Sequence, residues 1–256
     1  MSIGKFVWHD LMTGDVAGAQ SYYGAVAGWS TTPFEGSEQG YEMWVGPRGP
    51  IGGSIKMPAE MQGVPPHWLA YNHVADVDAS VAQVTELGGS VQNRMEIPMV
   101  GRIAICQDPQ GGWFALFQPA GDSPDQGGPA QPGEFSWAEL GTTDQQGAWD
   151  FYSAILGWTV AMDMDMGPGG NYRIFKTPDM EGHGGLGGFY DKPPQVPVVA
   201  WLYYITVADI DAAVKTAVER GGKLLNGPME VPGGDRVAQL MDAQGAAFGL
   251  HQSGPR

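Results

Sequence analysis

The chain repeats itself, and a duplicated sequence must fold into a duplicated structure. Phe6 to Trp29 (FVWHDLMTGDVAGAQSYYGAVAGW) aligns with Phe135 to Trp158 (FSWAELGTTDQQGAWDFYSAILGW) at a constant offset of 129, which pairs Trp8 with Trp137, Asp10 with Glu139 and Asp15 with Asp144. The match continues with small slips. IGGSIKMP (Ile51 to Pro58) pairs with LGGFYDKP (Leu186 to Pro193) at 135, and VADVDASVAQVTELGG (Val74 to Gly89) with VADIDAAVKTAVERGG (Val207 to Gly222) at 133. Glu96 to Gln118 pairs with Glu230 to Gln252 at 134. Between the copies, PAGDSPDQGGPAQPGE has no apolar period and reads as a linker. The expected organisation is a domain over 1–120, a linker over 121–133 and a second domain over 134–256, each half owning its core.

Each half carries a fainter duplication. Asp15, then Val16, Ala19, Tyr23 and Val26, then Gly28 give a helix cap, an apolar stripe and a terminator in order. Asp144 with Ala148, Phe151 and Ile155 repeats that pattern, as do helices placed to start at Asp78 and Asp211. The result is four units of strand, helix and about three short strands, an α+β chain. The 40 Gly and 20 Pro among 256 residues fit short strands and tight turns.

Charge and composition exclude several functions. With 13 Lys and Arg against 28 Asp and Glu the net charge is −15, so a phosphate backbone is repelled and nucleic acid is not expected as a partner. Cys106 is the single cysteine, which excludes an intramolecular disulfide. The longest uncharged apolar stretch, Val196 to Ala208, is too short to span a bilayer and contains Pro197. The start, MSIGKFVWHD, lacks a signal-type apolar region, so a soluble cytoplasmic protein is expected.

The W-x-[DE]-L pattern, GW after the first helix, the Pro-flanked GG strand and DPQG before WFALFQ resemble the vicinal oxygen chelate superfamily of glyoxalases, bleomycin-resistance proteins and extradiol dioxygenases. Within it the chain looks most like tandem glyoxalase-like proteins of the hydroxylase group. The resemblance implies two tandem glyoxalase-like domains, each of two βαβββ units forming a curled sheet around a cavity. It also implies where a divalent metal would be held. Those positions fall on Trp8, Leu69 and Ala115 in the first half and on Trp137, Leu202 and Gly249 in the second. The remaining position lies within Gly53 to Met57 or Gly188 to Lys192, where no Glu or His occurs. The three placed positions in each half offer no atom for a hard or borderline cation, so neither metal nor cofactor is expected.

Strand alternation puts His67, Leu69, Tyr71 and His73 on one face, and with Asp10 the two histidines could form a shifted metal site. His9 has the opposite parity and reads as a core histidine, and His183 reads as a loop residue. His251 alternates with Gly249 and faces the second cavity. Gly182 to Gly187 matches G-x-G-x-x-G, but the Pro193 and Pro194 that follow cannot open a helix, so no dinucleotide site is expected. Cys106 reads as a buried structural thiol, and Arg102 and Arg236 as ion-paired with Glu96 and Glu230 or Asp108 and Asp242.

Each cavity is therefore expected to be aromatic and apolar with a few polar groups. The first takes Trp8, Leu69, Ala115 and Phe117 with Asp10, His67, Tyr71 and His73; the second takes Trp137 and Leu202 with Glu139, Tyr204 and His251. The first, with its two histidines, is expected to be the better place for chemistry. Three functions follow in order: a binder of a small hydrophobic or aromatic molecule; a metal-independent lyase, isomerase or hydroxylase-like enzyme with Asp10 or Glu139 as base and Tyr71 or Tyr204 as acid, His73 lying beside them; and a metal-dependent glyoxalase or dioxygenase. Neither membrane nor nucleic acid is expected as a partner, and a homo-oligomer stays open.

Overall fold

Aspartates start the helices. In the computed structural model, which describes residues 2–35, 40–61, 63–121, 127–182 and 184–254, Asp15, Asp76, Asp144 and Asp209 each sit in extended backbone and turn a carboxylate onto free amides of the first helical turn. The helices so begun are α1 (Val16–Ala27), α2 (Val77–Glu86), α3 (Gln145–Leu156) and α4 (Ile210–Glu219). Glycines in the left-handed region end α1 (Gly28, φ +74°) and α3 (Gly157, φ +67°), as the sequence predicts. The caps of α2 and α4 lie two residues earlier than expected. Asp78 and Asp211 instead occupy the first turn, where they bind arginine: Arg102 meets Asp78 at 2.6 Å, and Arg236 meets Asp211 at 2.7 and 3.0 Å. Both arginines are thus ion-paired, but Asp108 and Asp242 are engaged elsewhere.

Strands follow the duplication. In chain order the first half has β1 (Phe6–Thr13), β2 (Ser30–Pro33), β3 (Glu42–Gly46), β4 (Gly49–Lys56), β5 (His67–His73), β6 (Ser90–Ile97), β7 (Gly101–Gln107) and β8 (Trp113–Pro119). The second has β9 (Phe135–Thr142), β10 (Thr159–Asp165), β11 (Asn171–Lys176), β12 (Gly187–Asp191), β13 (Ala200–Thr206), β14 (Lys223–Glu230), β15 (Arg236–Met241) and β16 (Ala247–Gln252). They form two curled eight-stranded sheets of the same order, β2-β3-β4-β1-β5-β8-β7-β6 and β10-β11-β12-β9-β13-β16-β15-β14. Within each βαβββ unit the first strand pairs parallel with the last, as in β1·β4 and β9·β12. The α+β architecture is the expected one.

The cores are not. Packing divides the chain into one unit of Met1–Val7, Leu69–Gln126 and Trp137–Trp201 and another of Trp8–Trp68, Gly127–Ser136 and Leu202–Arg256, so each core draws on both sequence halves. The reason is aromatic packing. In the first unit Trp158 stacks on Phe175 with centroids 4.0 Å apart and donates its indole hydrogen to the Gly4 carbonyl at 2.8 Å. Phe114 packs edge-on against Tyr152 at 5.1 Å. In the second, Tyr23 stacks on Trp29 at 5.5 Å, and both pack on Trp44 and Trp68. Trp29 donates to the Gly133 carbonyl at 2.7 Å, and Phe248 packs edge-on against Tyr23 at 5.3 Å. Cys106 is fully buried and its thiol is pushed up to about 12 by burial, which keeps it unreactive. No helix among the described residues is long and apolar enough to cross a membrane.

His9 is a core residue, as its parity predicts. Its ring stacks on Phe135 at 3.7 Å with planes 13° apart, with Tyr203 edge-on at 5.3 Å. Burial holds its pKa down at about 3, against the raising effect of a hydrogen bond with the Ile51 backbone. The unfolded chain takes up a proton near 6.5 that the folded chain refuses, so stability is complete above that pH and falls by roughly 1.4 kcal/mol per pH unit between about 6.5 and about 3. Urea unfolding of the wild type and His9→Phe between pH 7 and pH 4.5 should show this slope only in the wild type. Because each core draws on both halves, a chain cleaved between residues 119 and 134 should elute as one species in size-exclusion chromatography and separate only in denaturant.

Candidate ligand-binding sites

Strand alternation separates the core from the opposite sheet face. On β1, His9 and Leu11 are buried while Trp8 is only half-buried; on β9, Ala138 and Leu140 are buried while Trp137 and Glu139 are half-buried. The two indoles are therefore not core residues, unlike Trp29, Trp44, Trp68, Trp158 and Trp201. Each sits beside a carboxylate two residues on.

A tyrosine completes each site. In the first half the Trp8 indole donates to Asp10 Oδ1 at 3.0 Å and to the Tyr41 hydroxyl at 2.7 Å, and that hydroxyl donates to Asp10. In the second the Trp137 indole donates to the Tyr172 hydroxyl at 2.8 Å, which donates to Glu139 Oε1 at 2.8 Å. Burial, reinforced by the Asp10 charge, holds the Tyr41 pKa far above the usual phenol value, so it stays protonated as a donor. A phenol proton thus fixes each carboxylate as an oriented acceptor, and an indole hydrogen holds the phenol oxygen.

Glycine makes the reach possible. Gly53 on β4 lies in register with Asp10 on β1, and Gly188 on β12 with Glu139 on β9. A Cβ built on Gly53 would stand 2.0 Å from the Tyr41 hydroxyl oxygen, and one on Gly188 2.2 Å from the Tyr172 ring. The tyrosine of the neighbouring segment crosses the middle strand over a residue with no side chain and meets the carboxylate beyond it.

The other expected site residues are distributed differently. His67 bonds through Nδ1 to the Pro65 carbonyl at 2.9 Å, and His73, buried, through Nδ1 to the Ser2 carbonyl at 3.0 Å. The shifted metal site of His67, His73 and Asp10 is not assembled: among the described residues no three His, Cys, Asp or Glu are grouped to hold a metal ion. Tyr71 is buried on β5, in register with Ala115 on β8, where His73 pairs with Phe117. Tyr204 accepts from Gln239 Nε2 at 2.9 Å, and the tyrosines that donate to Asp10 and Glu139 are Tyr41 and Tyr172. His251 lies 2.9 Å from Ser136 Oγ and 3.0 Å from Asp235 Oδ2. His183 lies outside the described residues.

The metal positions implied by the resemblance do not fit a cation. The indoles at Trp8 and Trp137 present N–H donors, Leu69 and Ala115 are buried apolar residues, and Leu202 is apolar. At Gly249 the Tyr204 ring occupies the space a side chain would need, 2.2 Å from a built Cβ. Sequence reasoning missed Tyr41, Tyr172 and the role of Gly53 and Gly188. The repeated GG was visible; the tyrosines lie in the segment where the repeat offset slips.

A family model described as Glyoxalase/Bleomycin resistance protein/Dioxygenase superfamily matches residues 134–250. The chain is 33% identical over 254 residues to a protein named Putative glyoxylase CFP32 from Mycobacterium tuberculosis, covering 97% of this chain and 95% of the relative. It is 32% identical over 265 residues to Anthracycline biosynthesis protein DauV of Streptomyces sp. strain C5, covering 96% and 92%. Among solved structures, the Mn(II)-bound glyoxalase from Novosphingobium aromaticivorans superposes with a TM-score of 0.67 at 14% identity, covering 99% of this chain and 83% of that one. The 2,3-dioxygenase LapB from Pseudomonas sp. KL28 does so with 0.68 at 11%, covering 100% and 94%. At such identities the likeness is one of fold.

Gly188→Ala should cost about 1–3 kcal/mol in urea unfolding by forcing Tyr172 off Glu139. In a double-mutant cycle, Tyr172→Ala should remove most of that penalty, because the overlapping ring is gone.

Proposed function

The chain belongs to the Glyoxalase/Bleomycin resistance protein/Dioxygenase superfamily, and from that premise we propose that it binds small hydrophobic or aromatic molecules at two repeat-related sites without a metal among the binding groups. One observation carries this reading. At the first-strand position each half holds a half-buried indole, hydrogen-bonded to a tyrosine that orients a carboxylate. Broad aromatic faces provide contact area for a flat ligand, and the carboxylate selects a hydroxyl or amine on it. The relative named for anthracycline biosynthesis makes planar polycyclic aromatics the first compounds to test.

A metal-independent enzyme is the second reading, favoured by Glu139. That carboxylate is half-buried, whereas Asp10 is 4% exposed and takes donors from both Trp8 and Tyr41. A more accessible carboxylate is the better placed of the two to take a proton from a substrate. This reverses the sequence-based expectation that the first half is better suited to chemistry.

Titrating hydroxylated anthraquinones while following tryptophan fluorescence tests the proposal. Trp8→Phe and Trp137→Phe should each weaken binding at their own site by about 1 kcal/mol and leave the urea midpoint nearly unchanged. Loss of several kcal/mol of stability with unaltered binding would make the indoles structural and overturn the reading.

A further inference from the structure

The second site differs from the first in its carboxylate, Glu139 in place of Asp10, and in one aromatic residue. At the repeat offset of 135, Tyr190 occupies the place that Ile55 takes in the first half. Tyr190 lies in register with Gly141 on one side and with Tyr172 on the other. It leans over Gly141, where a built Cβ would stand 2.9 Å from its hydroxyl, much as Tyr172 leans over Gly188. The two phenol rings are stacked with planes 16° apart and centroids 6.3 Å apart. With Trp137 two residues before Glu139 on the same strand face, three half-buried aromatic side chains surround one half-buried carboxylate.

We propose that Trp137, Tyr172, Tyr190 and Glu139 form a binding site for an organic cation, an alkylated or quaternary ammonium group carried on the ligand. The inference rests on the binding reading above and specifies the chemistry of its second site. Ring faces are electron-rich and attract a soft, weakly hydrated cation, and a carboxylate among them adds a full charge. A neutral ligand meets that charge only through a hydrogen bond, without the full Coulombic attraction of a cation. The Glu139 charge is felt at Tyr190, where burial first and that charge second raise the phenol pKa. Lys192, just past the end of the Tyr190 strand, donates its ammonium to the Val196 carbonyl at 2.6 Å. Arg173, from the alternate face of β11, is paired with Asp163 at 2.8 Å. The first half has the shorter Asp10, sequestered by two donors, and an isoleucine where the second ring would stand.

The test is a titration of the full chain with benzyltrimethylammonium and, in parallel, with uncharged benzyl alcohol, read by tryptophan fluorescence and by the upfield shift of the N-methyl protons in NMR. The cation should bind at least about fivefold more tightly than the alcohol. Glu139→Gln, which preserves shape and an acceptor for Tyr172, should remove that preference by weakening the cation several-fold more than the alcohol. Tyr190→Ile should weaken the cation several-fold and reduce the upfield shift. Equal cation binding in wild type and Glu139→Gln would overturn the inference, because attraction would then come from the general negative charge of the chain. If flat aromatic compounds bind and the cation does not, the inference falls and the binding function stands. If neither class binds, both fall.

Discussion

Two buried hydrogen bonds decide how this chain packs. Tyr23 of α1 donates to Asp242 at 3.1 Å, and Tyr152 of α3 donates to Asp108 at 2.9 Å. Each aspartate also closes a tight turn: Asp108 accepts from the amides of Gln110 at 2.9 Å and Gly112 at 2.7 Å, and Asp242 from those of Gln244, Gly245 and Ala246 at 2.8 to 2.9 Å. Indoles then bond the tyrosines, Trp68 to Tyr23 at 3.0 Å and Trp201 to Tyr152 at 3.1 Å. A buried carboxylate without donors is costly, so a helix from one half is held on the turn of the other. Burial raises the Asp108 pKa even against its hydrogen bonds.

That packing leaves one sheet face for chemistry. Residues such as Leu11, Ala138 and Leu140 are consumed by the aromatic cores, and the alternate positions Trp8, Asp10, Trp137 and Glu139 are left to face away from them. At Trp8 and Trp137 that face carries indole rings and the hydrogen bonds that fix them. Gly53, Gly188 and Gly249 have a common purpose: each lets a tyrosine ring lie where a side chain would otherwise stand. The duplication then diverged at these faces, with Asp10 beside Ile55 in one half and Glu139 beside Tyr190 in the other.

The duplication, the helix caps at Asp15 and Asp144, the parity of His9 and the pairing of Trp8 with Asp10 were all legible in the sequence, because repeats, capping and strand alternation are local patterns. Tyr41 and Tyr172 were not. Their alignment slips by two residues from that of the first helices, and nothing nearby in sequence marks the carboxylate each one meets 31 or 33 residues away. DPQG is a family marker in the sequence, but nothing near Asp108 or Asp242 marks the tyrosine each meets across the chain, for the same reason.

The sequence by itself determined four units of strand, helix and short strands in two repeated halves and the identity of the residues on each strand face, since each follows from spacing within a few residues. Only the tertiary structure decided which helix closes on which turn and which tyrosine reaches which carboxylate. Tyr23 and Asp242 are 219 positions apart, and the bond between them is selected by the free energy of burying a satisfied polar pair within an aromatic core, a quantity that no local period records.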